Sequence, residues 1–381
     1  MLFRSLLLLS LWLLISAPVH AQLSVDTLLT IGDDESAEAE YLFGTPDRLV
    51  RAPTGLLFVS DQQLQHIRVY DAQGAFVRKL GQRGEGPGEF ERPTVLLVSE
   101  NRKLLVRDER HHRVTIFDAN SLELVDTLPF GYFHGVPTEL AAGDWGGNMR
   151  LLEAPDGTFV MLTIGSDGHP ESEGGREKLF IRVARDFSEV VEQFGAYDLV
   201  PIPGEFVRRV VSTNPGNALC TTSGNIWYAP AAYEGELLRF EFENDTWSAA
   251  QAVTGMSTSG PVYETVDPDE ADHQHIVSVS TRGPRLAGRL LRTTAGLVEA
   301  PDGDVLHFSY HIRNDNRAAL LVERFTPEGL LVGVYSMAEH LPPSGRPGVE
   351  VHAVDEDGHL YTIDRTGDAP VIRVLSVGWP E

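Results

Sequence analysis

Apolar residues in this chain fall in short runs separated by polar turns, and the runs are rich in β-branched and aromatic side chains. Gly55-Leu56-Leu57-Phe58-Val59-Ser60-Asp61 leads, after a polar gap, to His66-Ile67-Arg68-Val69-Tyr70-Asp71. Gly74-Ala75-Phe76-Val77-Arg78-Lys79-Leu80-Gly81 follows. Runs of this kind, bounded by Gly, Asp or Asn, predict strands. Stripes at i, i+3 and i+4, which a helix needs to bury one face, are scarce. The same order returns in Lys103-Leu104-Leu105-Val106-Arg107-Asp108, Arg113-Val114-Thr115-Ile116-Phe117-Asp118 and Leu122-Glu123-Leu124-Val125-Asp126-Thr127-Leu128. Asp61 and Asp108 hold equivalent places, each followed six residues later by Ile67 or Val114.

The repeat continues with drift. Turn anchors recur at Pro53-Thr54-Gly55, Pro155-Asp156-Gly157, Ser223-Gly224, Pro301-Asp302-Gly303 and Asp357-Gly358, and the second unit uses Asn101-Arg102 instead. An apolar strand precedes each anchor, and three more follow it. This predicts six units of about four strands. Such units cannot each bury both faces alone, but stacked radially they cover one another and leave few exposed edges. The last unit shows only three strands, at 351–354, 359–363 and 371–375. The missing one is assigned to residues 23–31, which end in Gly32 as the fourth strand of the first unit ends in Gly81. The expected fold is all-β: a six-bladed β-propeller of four-stranded antiparallel blades, with the N-terminal strand completing the last blade.

Composition narrows the setting. Residues 1–21 read as a secretory signal: Arg4, then an apolar stretch from Leu6 to Ile15, Pro18, and a cut before Gln22. Retention of this segment as an anchor is the alternative. The expected organisation is a signal peptide at 1–21 and a single propeller at 22–381, exported to the periplasm or the extracellular space as a monomer. No integral membrane segment is expected after signal removal. Lys and Arg total 31 against 55 Asp and Glu, a formal charge of −24. That balance excludes nucleic acid and a polybasic grip on anionic lipid. The single cysteine, Cys220, excludes an intrachain disulfide and a Cys-based metal cluster. Its neighbours predict a buried small hydrophobe.

One segment carries a family resemblance. Gly81-Gln82-Arg83-Gly84-Glu85-Gly86-Pro87-Gly88-Glu89-Phe90-Glu91-Arg92-Pro93 resembles the Gly-x-Gly-Pro-Gly-x-Phe…Pro linker between blades of NHL-repeat six-bladed β-propellers. Val59, Asp61, Ile67, Val69, Tyr70, Asp71, Gly74 and Phe76 resemble the repeat core, and the match runs over about residues 47–128. The resemblance implies a fold and leaves the activity open, since members include interaction domains, sensor domains and enzymes. The glycine run lacks Gly-Lys-Ser/Thr and a following helix pattern, so it is not a phosphate loop.

In a propeller, the connections from second to third strand and from blade to blade open on one face. The long loops fall in that class, at 131–148, 165–178, 195–217, 255–295 and 337–350, and function concentrates on such loops. The candidate ligand-face residues are Asp61, His66, Asp108, His112 and His134. Asp61 and Asp108 are also expected to cap their turns by accepting backbone N–H groups. His273 and His275 beside the acidic run Asp267, Asp269, Glu270 and Asp272 read as exposed loop, as do His111 and the segment around Asp33. His307 and His311 sit near a strand end. Arg51, Glu153 and Glu299 stand at matching positions and could aim at the central channel or form ion pairs. No catalytic, cofactor-binding or metal-binding residue is assigned, and the cofactor is left undetermined. The expected function is a binding module for a protein, peptide or glycan on the loop-rich face. The alternative is a metal-assisted lyase or lactone hydrolase with a divalent ion in the channel. The Glu, Asn, Asn and Asp ligands of gluconolactonase-type propellers cannot be placed here.

Overall fold

Strands such as Leu57–Asp61, Ile226–Pro230 and Leu360–Asp364 are buried at every position. A strand covered on both faces belongs inside a stack of sheets. The computed structural model describes residues 21–32, 38–108, 110–129, 150–162, 178–196, 204, 206–207, 216–257, 260–271, 276–278, 285–313, 317–341 and 348–380. They form six antiparallel blades whose innermost strands are Pro46–Arg51, Pro93–Val98, Leu151–Glu153, Gly216–Cys220, Arg292–Glu299 and Val349–Val354. Burial declines outward. The outermost strand of blade 1, Phe76–Leu80, is exposed at its three central residues.

The apolar core lies between blades. Blades 1 and 2 meet over Phe58, Val69, Phe90, Leu104 and Phe117. Blades 2 and 3 share Leu105, Met161 and Ile181, and blades 3 and 4 share Phe180, Tyr228 and Phe240. Trp227, Leu321 and Phe325 join blades 4 and 5, while Phe308, Val322, Val351 and Leu360 join blades 5 and 6. The sixth cluster, with Leu57, Val59, Tyr361 and Ile363, joins blade 6 back to blade 1. Six blades with six such seams make a closed ring.

The ends of the chain fasten it. Ser24–Ile31 pairs antiparallel with Val371–Gly378 as the outermost strand of blade 6. The residues just before it reach further than the sequence suggests. Ala21 and Gln22 pair in parallel with Tyr335 and Ser336 of blade 5, and Leu23 N–H donates to Ser336 O at 2.9 Å. One segment therefore spans two blades. The proposed signal up to residue 20 lies outside the described residues.

The expected linker geometry repeats. Gly32 and Gly81 have φ of +85° and +75°, and a Cβ on either would run into the ring of Phe43 or Phe90. Glycine is needed at both for the turn and for the close approach. Phe90 is fully buried against Phe117, so it plugs the seam between blades 1 and 2. The segment 255–295, expected as loop, contains a three-stranded sheet of Tyr263–Val266, Leu286–Leu290 and Ile276–Ser278. It covers Phe206, Val207 and Ala232, apolar groups that the main ring leaves uncovered.

Candidate functional site

Among the described residues the innermost strands have no further strand of their own sheet on the inner side, apart from a bridge from residues 231–233 to the start of Arg292–Glu299, so their edges and alternate side chains enclose a central channel. The cavity is about 680 Å³ and is lined by residues of all six blades. Three tiers follow from the strand direction. Arg48, Arg150 and Asn217 stand toward the end where the strands begin, which is the loop-rich face, and the His352 side chain, at the bulge in Val349–Val354, joins them through its proximity to Arg48 and Glu350. Leu49, Leu97, Leu151, Leu219, Leu297 and Val351 form an apolar belt. Glu100, Glu153, Glu299 and Thr222 stand at the opposite floor, with the tight turns.

At the mouth, bulges set the geometry. The pairing of Pro46–Arg51 slips between Pro46 and Arg48, and that of Val349–Val354 slips between Val351 and Ala353. Asp47 and His352 are the extra residues, and a bulge re-aims the side chains around it. Arg48 is 6% exposed. Burial lowers its pKa, opposed by the charges of Asp47 and Glu350. Among the described residues no carboxylate lies within ion-pair distance of it. Asp47 is raised to about 6, by burial first and then by Glu350, against the pull of Arg48, Arg365 and a bond to Gln62. Its Oδ2 has no hydrogen-bond partner. The His352 side chain is 4% exposed, with its Nε2 3.7 Å from Glu350 Oε2 and unbonded. Burial, then Arg48 and Arg365, holds it well below the ordinary imidazole value, so it is neutral at neutral pH. Glu350 is engaged elsewhere, by Arg365 at 2.9 Å. Arg150 donates to Asn217 Oδ1 while its own Nε stays unpaired.

The floor is different. Glu153 Oε2 accepts from Glu100 N at 2.7 Å, and Glu299 accepts from Thr222 N and Oγ1 at 2.8 Å each. Arg51 pairs with Glu356 at 2.9 Å. Each of these three matched residues thus reaches the turn of the preceding blade. The remaining blades place Val98, Cys220 and Val354 there, followed by Ser99, Thr221 and Asp355, whose side chains accept N–H groups of their own turns. Cys220 is half-buried beside the floor. Burial, then Glu299, Glu100 and Glu153, pushes its thiol up to about 12, which leaves it unreactive.

Of the residues singled out from sequence, Asp61, His66, Asp108 and His112 lie at the connections from second to third strand in blades 1 and 2, and none of them lines the channel. Asp61 is fully buried; it accepts Gly44 N at 2.8 Å, Thr45 N at 3.0 Å, and Gln63 N and Leu64 N at 3.1 Å each. Asp108 does the same for Glu91 N and Arg92 N, and also takes Arg110 N and His111 Nδ1. Both cap their own turn and also clamp the linker that enters the blade, and neither lines the channel. His66 is half-buried with its Nδ1 2.6 Å from Leu64 O, and burial lowers its pKa. His112 is exposed with φ of +49°. His134 lies outside the described residues, as do His273 and His275. Among the described residues, one group of three metal-capable side chains comes together, Asp355, Asp357 and His359. It sits in a blade 6 turn where Asp355 already accepts from Asp357 N, His359 N, His359 Nδ1 and Tyr361 Oη. Sequence reasoning missed Arg48, Arg150, Asn217 and His352. The available signal was a charged or imidazole side chain inside strands otherwise built for burial.

Comparison with known proteins agrees with this architecture. The DUF5128 family, described as a 6-bladed beta-propeller, matches residues 37–140. The fold is a six-bladed β-propeller. A propeller from Bacteroides vulgatus, a member of the DUF4221 family, superimposes with a TM-score of 0.56 at 9% identity, covering 95% of this chain and 100% of that one. A Bacteroides fragilis protein described as exported gives 0.55 at 11% identity, covering 95% and 98%. The virginiamycin B lyase of Staphylococcus aureus gives 0.45 at 10% identity, covering 93% and 99%. No curated protein sequence matches the chain.

Proposed function

We propose that this propeller is an exported, monomeric binding module that holds a protein, peptide or glycan on its loop-rich face, with the channel as its socket. The supporting observation is the channel: about 680 Å³, open, apolar at mid-depth and carrying a few convergent polar groups at the mouth. That is the composition of a ligand site, where apolar walls supply affinity and sparse polar groups fix orientation. Export rests on the N-terminal sequence. Among the described residues no helix is long and apolar enough to cross a membrane.

The test is calorimetric titration of peptide and oligosaccharide panels against the intact protein and against Ala218→Phe and Ala353→Phe, which add a ring to half-buried channel positions. Binding lost in both variants, with the far-UV spectrum retained, supports the reading. Ligands that bind equally to all three proteins would remove the channel from function. Turnover of a lactone or glycosidic substrate, with calcium or zinc co-purifying, would replace the module by the metal-assisted lyase or hydrolase.

A further inference from the structure

Resting on the binding-module reading, we propose that the channel mouth receives a carboxylate carried on an apolar stem: the free C-terminus of a peptide ending in an apolar residue. The protein has a formal charge of −24, yet the charged groups lining this end of its channel are arginines. A guanidinium presents a planar fork of donors that fits a carboxylate. Arg48 is buried here without such a partner, Arg150 keeps an unbonded Nε, and His352, which lines the same cavity, has an unbonded Nε2. Buried polar atoms are normally satisfied, so two unbonded atoms and a guanidinium without an ion pair around one cavity describe an occupant. Its sign is negative, because two of the three are cations and the neutral imidazole can donate.

The belt below selects the rest of the ligand. Leu49, Leu151, Leu219 and Leu297 line the wall next to the arginines. An apolar terminal side chain is stabilised there, whereas the hydroxyls of a uronic acid would enter without hydrogen-bond partners. Asp47 and Glu350 do not line the cavity, but they are the carboxylates whose charges act on Arg48. Glu350 is neutralised by Arg365, which leaves Asp47 as the repelling group. Protonation of Asp47, raised to about 6, removes that repulsion. Binding should therefore tighten on acidification.

The experiment titrates the intact protein with acetyl-glycyl-leucine, its C-terminal amide, and glucuronate, at pH 5.5 and 7.5. The acid form is expected to bind at least about tenfold more tightly than the amide, and more tightly at the lower pH, with no measurable uptake of glucuronate. Arg48→Lys should weaken the acid form partially and Arg48→Gln abolish its advantage over the amide. The acid–amide difference needs no variant, so a misfolded substitution cannot hide the result. Equal binding of acid and amide, or preference for glucuronate, overturns the proposal. If both peptides fail while another ligand binds and is blocked by Ala218→Phe, this inference falls and the socket stands. Ligands insensitive to Ala218→Phe bring down the socket itself.

Discussion

Blade 5 and the channel mouth both bury ionisable groups. In blade 5, His307 and Glu323 are both fully buried and bonded to each other at 2.8 Å. Glu323 Oε1 also accepts Tyr233 Oη at 2.8 Å and Met256 N at 2.5 Å. Thr294 Oγ1 donates to Pro230 O at 2.6 Å and lies 3.1 Å from His307 Nε2. Burial and the adjacent Glu323 charge raise the Tyr233 pKa strongly, which keeps it a donor. Each of these side chains has its bonds made. At the mouth, Asp47, Arg150 and His352 each keep an unbonded atom. Saturated polar groups in a core hold a structure together, whereas unsaturated ones beside a cavity cost stability unless something fills them.

The sharpest way to break that contrast is Glu323→Ala, which strands His307, Tyr233 and the Met256 amide. It should cost about 3–5 kcal/mol, as removal of one partner from a buried pair does. Urea unfolding reads this, and a loss under about 1 kcal/mol would show that the network is not a structural unit. Asp47→Asn should act in the opposite direction. Asp47 is raised from 3.8 to about 6, so its folded form holds the proton more tightly than the unfolded chain does. Its favourable contribution is complete below pH 4 and is lost as pH rises through 6. The substitution should therefore stabilise by up to about 3 kcal/mol above pH 6 and by nothing below pH 4. A gain independent of pH would show that the Asp47 charge is not the cause. Asp61→Ala, which frees four linker and turn amides, should cost about 1–3 kcal/mol in the same assay. Arg51→Ala tests the floor: its partner Glu356 is 71% exposed, so the loss should stay below about 1 kcal/mol and shrink in salt.

The ring was legible because its cues are local. Asp61 and Asp108 recur because each clamps the linker entering its blade, and Gly32 and Gly81 recur because the chain turns back over a Phe after each. The spare strand at 23–31 followed from one blade being a strand short. The sheet within 255–295 was not anticipated, since three short strands in a polar segment carry little periodic signal. Arg51, Glu153 and Glu299 were matched as equivalents, but sequence could not show that they reach sideways to the preceding turn. The mouth was hidden for a different reason. Arg48, Arg150 and His352 belong to three blades, and they share a space only once the circle closes. The bulges at Asp47 and His352 leave no mark on the alternation of residue types.

The strand at Ser24–Ile31 finds its neighbour at Val371–Gly378, almost the whole polypeptide later. Ser24–Ile31, synthesised early, must therefore wait for Val371–Gly378 before the outer edge of blade 6 is complete. A chain released early, by a nonsense codon or a stalled ribosome, carries an unmatched strand at its front and offers it to proteases. The join between these two strands thus works as a check on translation, and full protease resistance should come only to molecules that include Val371–Gly378.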